Sequence, residues 1–220
     1  MPAPGEHHPA FEEYCECIFE LREDNVEVIQ ARVAERLNVS RPSVSEMIKR
    51  MESEGLITLQ GSKIVLTPTG EVLAERVVRR HRIAERFLTD ILGLSWAQAH
   101  HEAGKWEHIM SDDVEQAIDR LLGNPTTCPH GNPIPGSSYA SDDAVPLVTL
   151  EVGATFTVTR IPEELEFTPG MLDFLERFDV VPGSFGRMQS ADVAGACTVT
   201  IGDKAVDIDS FASARILVRT

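Results

Sequence analysis

Imidazole and carboxylate side chains are concentrated in a few short stretches of this chain. Residues 100 to 108 hold His100, His101, Glu102, Glu107 and His108. Within them Gly104, Glu107 and His108 stand at i, i+3 and i+4, which is one face of a helix. Upstream, His81 and Glu85 repeat the i, i+4 spacing. Near the start, Glu12, Glu13 and Glu16 crowd together, the last two at i and i+3. Pairs of this kind aim nitrogen and oxygen donors at one point, and helical bundles assemble divalent-metal sites that way. Any single pair reads equally well as solvated charge. Three convergent clusters on adjacent helices make a metal-binding reading the stronger one. Cys15 and Cys17 lie close by, but residues two apart on a helix point roughly 200° apart and cannot both face one ion. Cys128 and His130 read as structural, with zinc binding as a lesser alternative.

The elements that must position these residues follow from periodicity. Phe11, Tyr14, Cys15, Ile18, Phe19 and Leu21 give a first helix over 10–22. Val28, Ile29, Val33, Ala34 and Leu37 give a second over 26–37. After a short break at 38–40, Ser40 as N-cap and Pro42 in the first turn open a third helix that Gly55 stops. Residues 56–66 form a small hairpin around 60–63. A long helix is expected from Thr67 to about Leu92, another from Ser95 to about Met110, and a shorter one from Ser111 to Gly123. Five prolines and two glycines at 124–146 read as a linker. From Leu147 the pattern turns to near-alternation (Val148, Leu150, Phe156, Val158, Ile161). A short helix is expected over 171–178, with strands at 197–201, 204–208 and 214–218.

Helix, short turn, helix and hairpin make a winged helix-turn-helix, which predicts double-stranded DNA as a partner. The third helix would enter the major groove. Ser40, Arg41, Pro42, Ser43, Ser45, Glu46, Lys49 and Arg50 are its candidate contacts, and Lys63 at the hairpin tip would reach the backbone or minor groove. Few of these are long enough for bidentate base contacts, so DNA shape is expected to carry much of the specificity. A winged helix used for protein contacts is the competing reading.

A net charge of −15 over 220 residues opposes this at long range. The acid, however, is segregated. Residues 1–24 carry Glu6, Glu12, Glu13, Glu16, Glu20, Glu23 and Asp24 against Arg22 alone, whereas 25–66 carry six basic residues against five glutamates. A polyanion responds to local rather than net charge, and bound metal would neutralise the acidic first helix. No apolar run approaches the roughly 20 residues of a membrane span, and the first residues lack a signal-peptide core. With four cysteines and no CxxC pair, a reducing cytoplasm is the expected setting. A metal-dependent hydrolase is disfavoured, because no separate general base or glycine-rich phosphate cradle accompanies the clusters.

The stretches ARVAERLNVSRPSVSEMIKRMESEGLI, LTPTG, HRIAERFLTDILG, HEAGKWEHIMSDDVE and CPHGNPIPG, in that order, resemble the diphtheria toxin repressor family of metal-dependent transcription regulators. The likeness is strong over about 10–136 and looser beyond 147. It implies a mainly α fold with small β parts in three units. These are a winged helix-turn-helix at 1–73, a helical dimerisation and metal-binding domain at 74–140, and an SH3-like domain at 147–220. It also implies a homodimer on palindromic operator DNA, repressing metal-uptake genes when loaded with Fe(II) or Mn(II), with two metal ions per subunit and no small-molecule substrate.

By the same resemblance, Glu107 and His108 fall on the primary-site pair. Glu13 falls where iron sensors have methionine and manganese sensors aspartate, and Glu16 falls on a manganese-branch glutamate. Gly104 departs from the pattern, standing where the family has cysteine or glutamate and offering only a backbone carbonyl. His81, Glu85 and His100 match the ancillary site. Thr168 and Met171 stand where the SH3-like domain of longer members adds a glutamate and a glutamine, with Glu164 or Glu166 as substitutes. Both sulfur ligands of the iron branch are missing, so the donor set favours Mn(II) over Fe(II).

Overall fold

The computed structural model describes residues 9–141 and 143–220. The DNA-reading unit begins with α1 (Pro9–Glu23), α2 (Gln30–Arg36) and α3 (Arg41–Ser53). It continues with the antiparallel hairpin β1 (Ile57–Gln60) and β2 (Lys63–Leu66). Ser40 caps α3 as its sequence predicts, its side chain accepting from Ser43 N. The second helix starts four residues later than periodicity suggests. Val28 and Ile29 instead join the wing, with Ile64 N donating to Val28 O at 2.8 Å and Ile29 bridging Lys63. β-branched residues suit that pleated edge better than a helix start.

α4 (Pro68–Asp90) is the beam of the molecule. Its first turns enter the N-terminal core through Leu73 and Ala74, beside Tyr14, Ile18, Val44, Ile48, Met51 and Ile64. Burying each large apolar side chain contributes about 1.5–3 kcal/mol. Gly70 permits the close approach, since a Cβ there would lie 2.0 Å from Leu56 O. Further along, Ile83, Ala84 and Leu88 pack with Ala99, Ala103, Met110 and Ile118. These belong to α5 (Trp96–Trp106), to the turn after it and to α6 (Asp112–Leu121). A boundary at 73/74 therefore falls inside a continuous helix.

The C-terminal unit is a six-stranded antiparallel sheet, ordered β3-β8-β4-β5-β6-β7, consistent with the SH3-like architecture. Its strands are β3 (Val145–Pro146), β4 (Thr155–Arg160), β5 (Phe185–Ala191), β6 (Cys197–Ile201), β7 (Lys204–Ile208) and β8 (Leu217–Arg219). Short helices α7 (Glu163–Glu166), α8 (Met171–Arg177) and α9 (Ser210–Ser213) decorate it. Leu147–Thr149 is a 3₁₀ turn rather than a strand.

The segment 124–141 is not a free linker. Cys128, His130, Asn132 and Ile134 are buried in it, and it is wedged between α4 and β4. Arg82, fully buried on α4, pairs with Glu23 at 2.6 Å and Glu163 at 2.9 Å, and donates to Pro133 O. Arg160 holds Glu23 and Asp24, each at 3.0 Å. These ion pairs dock the β domain onto the end of α1 and the middle of α4. No helix among the described residues is long and apolar enough to cross a membrane.

Candidate metal centres and DNA-reading surface

Two donor clusters meet at His81. On its Nε2 side, Glu85 Oε1 lies at 3.2 Å and His100 Nδ1 at 3.3 Å. His100 Nδ1 is also 3.0 Å from Glu85 Oε1 and 3.2 Å from Glu166 Oε2. Separations near 3 Å are the edges of a coordination shell whose metal–ligand bonds are about 2.1 Å. The three residues named for the ancillary site thus come together. Glu166, from α7 of the β domain, reaches this cluster through His100. Asn132 steadies Glu166 by donating to its Oε1 at 2.7 Å. Glu164 turns away to Arg215 at 2.7 Å. Thr168 donates to Glu164 O, and Met171 packs against the β-domain core.

On its Nδ1 side, His81 lies 2.5 Å from Glu107 Oε2 and 3.9 Å from Glu16 Oε1. His108 Nε2 is 3.1 Å from Glu107 Oε1, and His108 Nδ1 is 2.9 Å from Glu12 Oε2. α5 ends at Trp106, so Glu107 and His108 sit on its closing turn rather than within a helix to Met110. A cavity of about 350 Å³ opens here, with Glu13, Glu16, Gly104, Glu107 and His108 in its wall. Gly104 has open space where a side chain would stand, with nothing within 4 Å of a Cβ.

The α1 contribution differs from the expected one. Glu12, not Glu13, meets His108, and Glu12 is also braced by Arg76 at 3.1 Å. Glu13 is exposed at the cavity rim. The spacing that reveals this is i, i+4: Glu12, Glu16 and Glu20 form one ridge of buried carboxylates, whereas Glu13 shares the outer face. Glu20 turns to Arg36 at 3.3 Å, whose guanidinium stacks over Phe167.

The electrostatics show a site short of positive charge. Burial, with Glu107 beside it, pushes the Glu16 carboxyl well above the usual range, and its Oε1 is buried without a hydrogen-bond partner. Burial would strip the proton from His81, but Glu85 and Glu107 outweigh it and hold the imidazole's pKa well above normal. The same contest raises His100 to about 10, burial losing to Glu166 and Glu85. Buried carboxylates outnumber the imidazoles that neutralise them, and nitrogen and oxygen donors at shell-edge spacing fit a divalent cation. Cys17 lines the cavity, but burial raises its thiol pKa, which disfavours a thiolate ligand.

In the DNA-reading unit, Ser40, Arg41, Pro42, Ser43, Glu46, Lys49 and Arg50 are exposed along α3, Ser45 is half-buried, and Lys63 is exposed on the wing. Arg50 lies over the Phe11 ring at 5.3 Å. Among the described residues, Arg41, Lys49 and Lys63 form no ion pair, which leaves their charge available to phosphates.

Comparison with known proteins agrees with this geometry. Residues 8–65 match the iron dependent repressor N-terminal DNA binding domain, and 67–136 match the iron dependent repressor metal binding and dimerisation domain. The chain is 39% identical over 210 residues to the iron-dependent repressor IdeR of Mycobacterium tuberculosis, covering 90% of this chain and 91% of that one. It is 39% identical over 198 residues to the diphtheria toxin repressor of Corynebacterium diphtheriae, covering 88% and 84%. A manganese-dependent transcriptional repressor solved with manganese superposes with a TM-score of 0.84 at 33% identity, covering 94% of this chain and 98% of that one. The manganese regulator SloR superposes at 0.77 with 28% identity, covering 97% and 99%. These relatives are regulators rather than enzymes, and the chain belongs to the diphtheria toxin repressor family of metal-dependent transcriptional repressors.

Proposed function

We propose that this chain is a Mn(II)-responsive repressor that acts in the cytoplasm as a homodimer on operator DNA controlling metal-uptake genes. The donor set carries the choice of metal. Glu12, Glu16, Glu107 and His108 at one cluster, and His81, Glu85, His100 and Glu166 at the other, offer oxygen and imidazole nitrogen only. Hard donors of this kind suit Mn(II) better than sites with thiolate or thioether. Two ions per subunit follow from two clusters. The relatives named for iron keep Fe(II) as the second reading.

A bound dication supplies the positive charge that the buried carboxylates lack. The chain's own residues then do the coupling. Glu12 and Glu16 are on α1, which packs in the DNA-reading core through Tyr14, Ile18 and Leu21. Glu107 and His108 are on the α5 turn, beside the helices of the dimerisation domain. Drawing these carboxylates together fixes α1 on α4 and α5, and so fixes the spacing of the two α3 helices of a dimer. Glu166 ties the β domain to the same framework.

Operator binding measured by fluorescence anisotropy under anaerobic conditions tests this. Mn(II) is expected to raise affinity strongly at micromolar concentration, and Fe(II) more weakly. Equal affinity with and without metal would remove the switch, and a stronger response to Fe(II) would favour the second reading.

A further inference from the structure

The β domain touches the DNA-reading unit through one aromatic side chain that is not a metal donor. Phe167 directly follows Glu166 and closes α7, its N–H donating to Glu163 O at 3.2 Å. The residue is 45% exposed, yet its ring has two partners. The His100 ring meets it at 87°, with centroids 5.3 Å apart. The Arg36 guanidinium lies over it, 4.5 Å from the centroid. A cation over an aromatic face at that distance is attracted by the ring quadrupole.

Arg36 is the last residue of α2, and its side chain is only 5% exposed. Its Nη1 reaches Glu20 at 3.3 Å. Its Nη2 is buried, has no hydrogen bond and lies 3.9 Å from Asp24. The Phe167 ring thus covers a guanidinium that carboxylates hold only in part. Only residues 37–40 separate Arg36 from α3. Val39 N donates to Ala34 O at 3.1 Å across that turn, and Val33 and Ala34 share a core with Val44 and Ile48 of α3. A shift of α2 at Arg36 is therefore passed to α3 rather than absorbed by slack chain.

We propose that Phe167 is a positioning residue that couples the His81–Glu85–His100 cluster to the DNA-reading unit by holding Arg36. This rests on the Mn(II)-repressor reading and extends it. Glu166 and Phe167 are consecutive, so α7 brings a carboxylate to 3.2 Å from His100 and an aromatic face to Arg36 together. With α7 withdrawn, the cluster loses that oxygen and α2 loses its brace. Tighter ion binding to the docked arrangement therefore fixes α2 as well. The competing account is ordinary packing between domains, with no bearing on the metal response.

Phe167→Leu separates the two accounts, because it keeps apolar bulk and removes the π face. Calorimetric titration of the full-length variant with Mn(II) is expected to give the wild-type number of ions per protomer. Affinity of the Mn(II)-loaded variant for operator DNA, selected in vitro with the wild type, should fall by about 2- to 30-fold, the worth of a cation–π contact. Phe167→Tyr should restore it. Phe211→Leu removes a different ring, 3.7 Å under Arg215 within the β domain, and should bind operator as wild type does. Hydrogen exchange, read without DNA, should slow over residues 30–53 when Mn(II) is added to wild type, and slow less in Phe167→Leu. The proposal is overturned by wild-type operator affinity in Phe167→Leu, by an equal loss in Phe211→Leu, by no rescue in Phe167→Tyr, or by a lost ion in Phe167→Leu. Wild type that binds Mn(II) with no change over 30–53 overturns it too. Wild type whose exchange responds to Mn(II) while its operator affinity does not would sink the repressor reading and leave the coupling standing.

Discussion

His81 and Glu107 join the two principal clusters through a single contact, Nδ1 to Oε2 at 2.5 Å, while the opposite ring nitrogen of His81 faces Glu85 and His100. A histidine that binds metal through one nitrogen commonly donates from the other to a carboxylate, which fixes its tautomer and orientation. Here that carboxylate is itself one of the donors proposed for the next cluster. His81→Ala should therefore do more than delete one site. Calorimetric titration with Mn(II) is expected to show fewer ions per protomer and an affinity at the remaining cluster lowered by about 10–100-fold, the usual effect of losing an outer-shell partner. His100→Ala should remove one ion and leave the other's affinity near wild type. Identical profiles for the two variants would show that His81 does not couple the clusters.

Glu12 and Glu13 separate two readings of α1. Glu12→Gln preserves shape and removes the charge that faces His108 and Arg76. It is expected to weaken Mn(II)-dependent operator affinity by on the order of 10–100-fold. Glu13→Gln, at the exposed rim, should stay close to wild type in the same anisotropy assay. A larger loss in Glu13→Gln would return the ligand role to that residue.

The contrast also shows what sequence can reach. Ser40, Pro42 and Gly55 bound α3 through local capping chemistry, so that helix is legible from its own residues. His81, Glu85 and His100 are legible because helical spacing places them on facing surfaces. Spacing names Glu12, Glu13 and Glu16 together, because i, i+3 and i, i+4 pairs coexist on α1, and only packing shows that Glu12 is on the buried face and Glu13 on the exposed one. Glu164 and Glu166 are indistinguishable in sequence, and only the fold turns Glu164 to Arg215. The stretch 124–146 reads as a linker because it is rich in proline and glycine. Its burial depends on Arg82 and β4, which are distant in sequence.

The exposed basic residues of the reading unit predict a salt signature. Lys49 is exposed on α3 and has no ion pair among the described residues. If it touches phosphate, Lys49→Ala should weaken binding to operator and to unrelated DNA alike. The slope of log affinity against log salt should fall by about 1. A loss confined to one operator sequence, with an unchanged slope, would place Lys49 on a base instead.

Arg82 carries a stability prediction. It is fully buried between Glu23 and Glu163, so removing it strands the buried Glu163 carboxylate and leaves Glu23 to Arg160 alone. Arg82→Ala is expected to cost about 3–5 kcal/mol in urea unfolding, as breaking a buried pair usually does. Adding Glu163→Gln to that variant should recover part of the loss, because one stranded charge is then gone. No recovery would mean that lost packing, rather than charge, dominates.

Gly104 gives the sharpest test of the cavity wall. It lies inside α5, is exposed, and a Cβ there meets nothing within 4 Å. Gly104→Ala should therefore stabilise the protein by up to about 1 kcal/mol, the helix penalty of glycine, and leave the metal response unchanged. Gly104→Glu puts a carboxylate on the same helical face as Glu107 and His108. With a cation bound it adds an oxygen donor, and Mn(II) affinity is expected to rise. Without one it adds a like charge to a cluster that already holds Glu16 above its usual pKa, so metal-free stability should fall. The two effects have opposite signs, and together they widen the gap between loaded and unloaded protein in a thermal melt. Gly104→Cys should shift preference toward softer ions in a competition titration. If Mn(II) raises the melting temperature of Gly104→Glu by no more than that of wild type, position 104 does not face the ion, and the primary cluster is complete with the α1 and α5-turn residues alone.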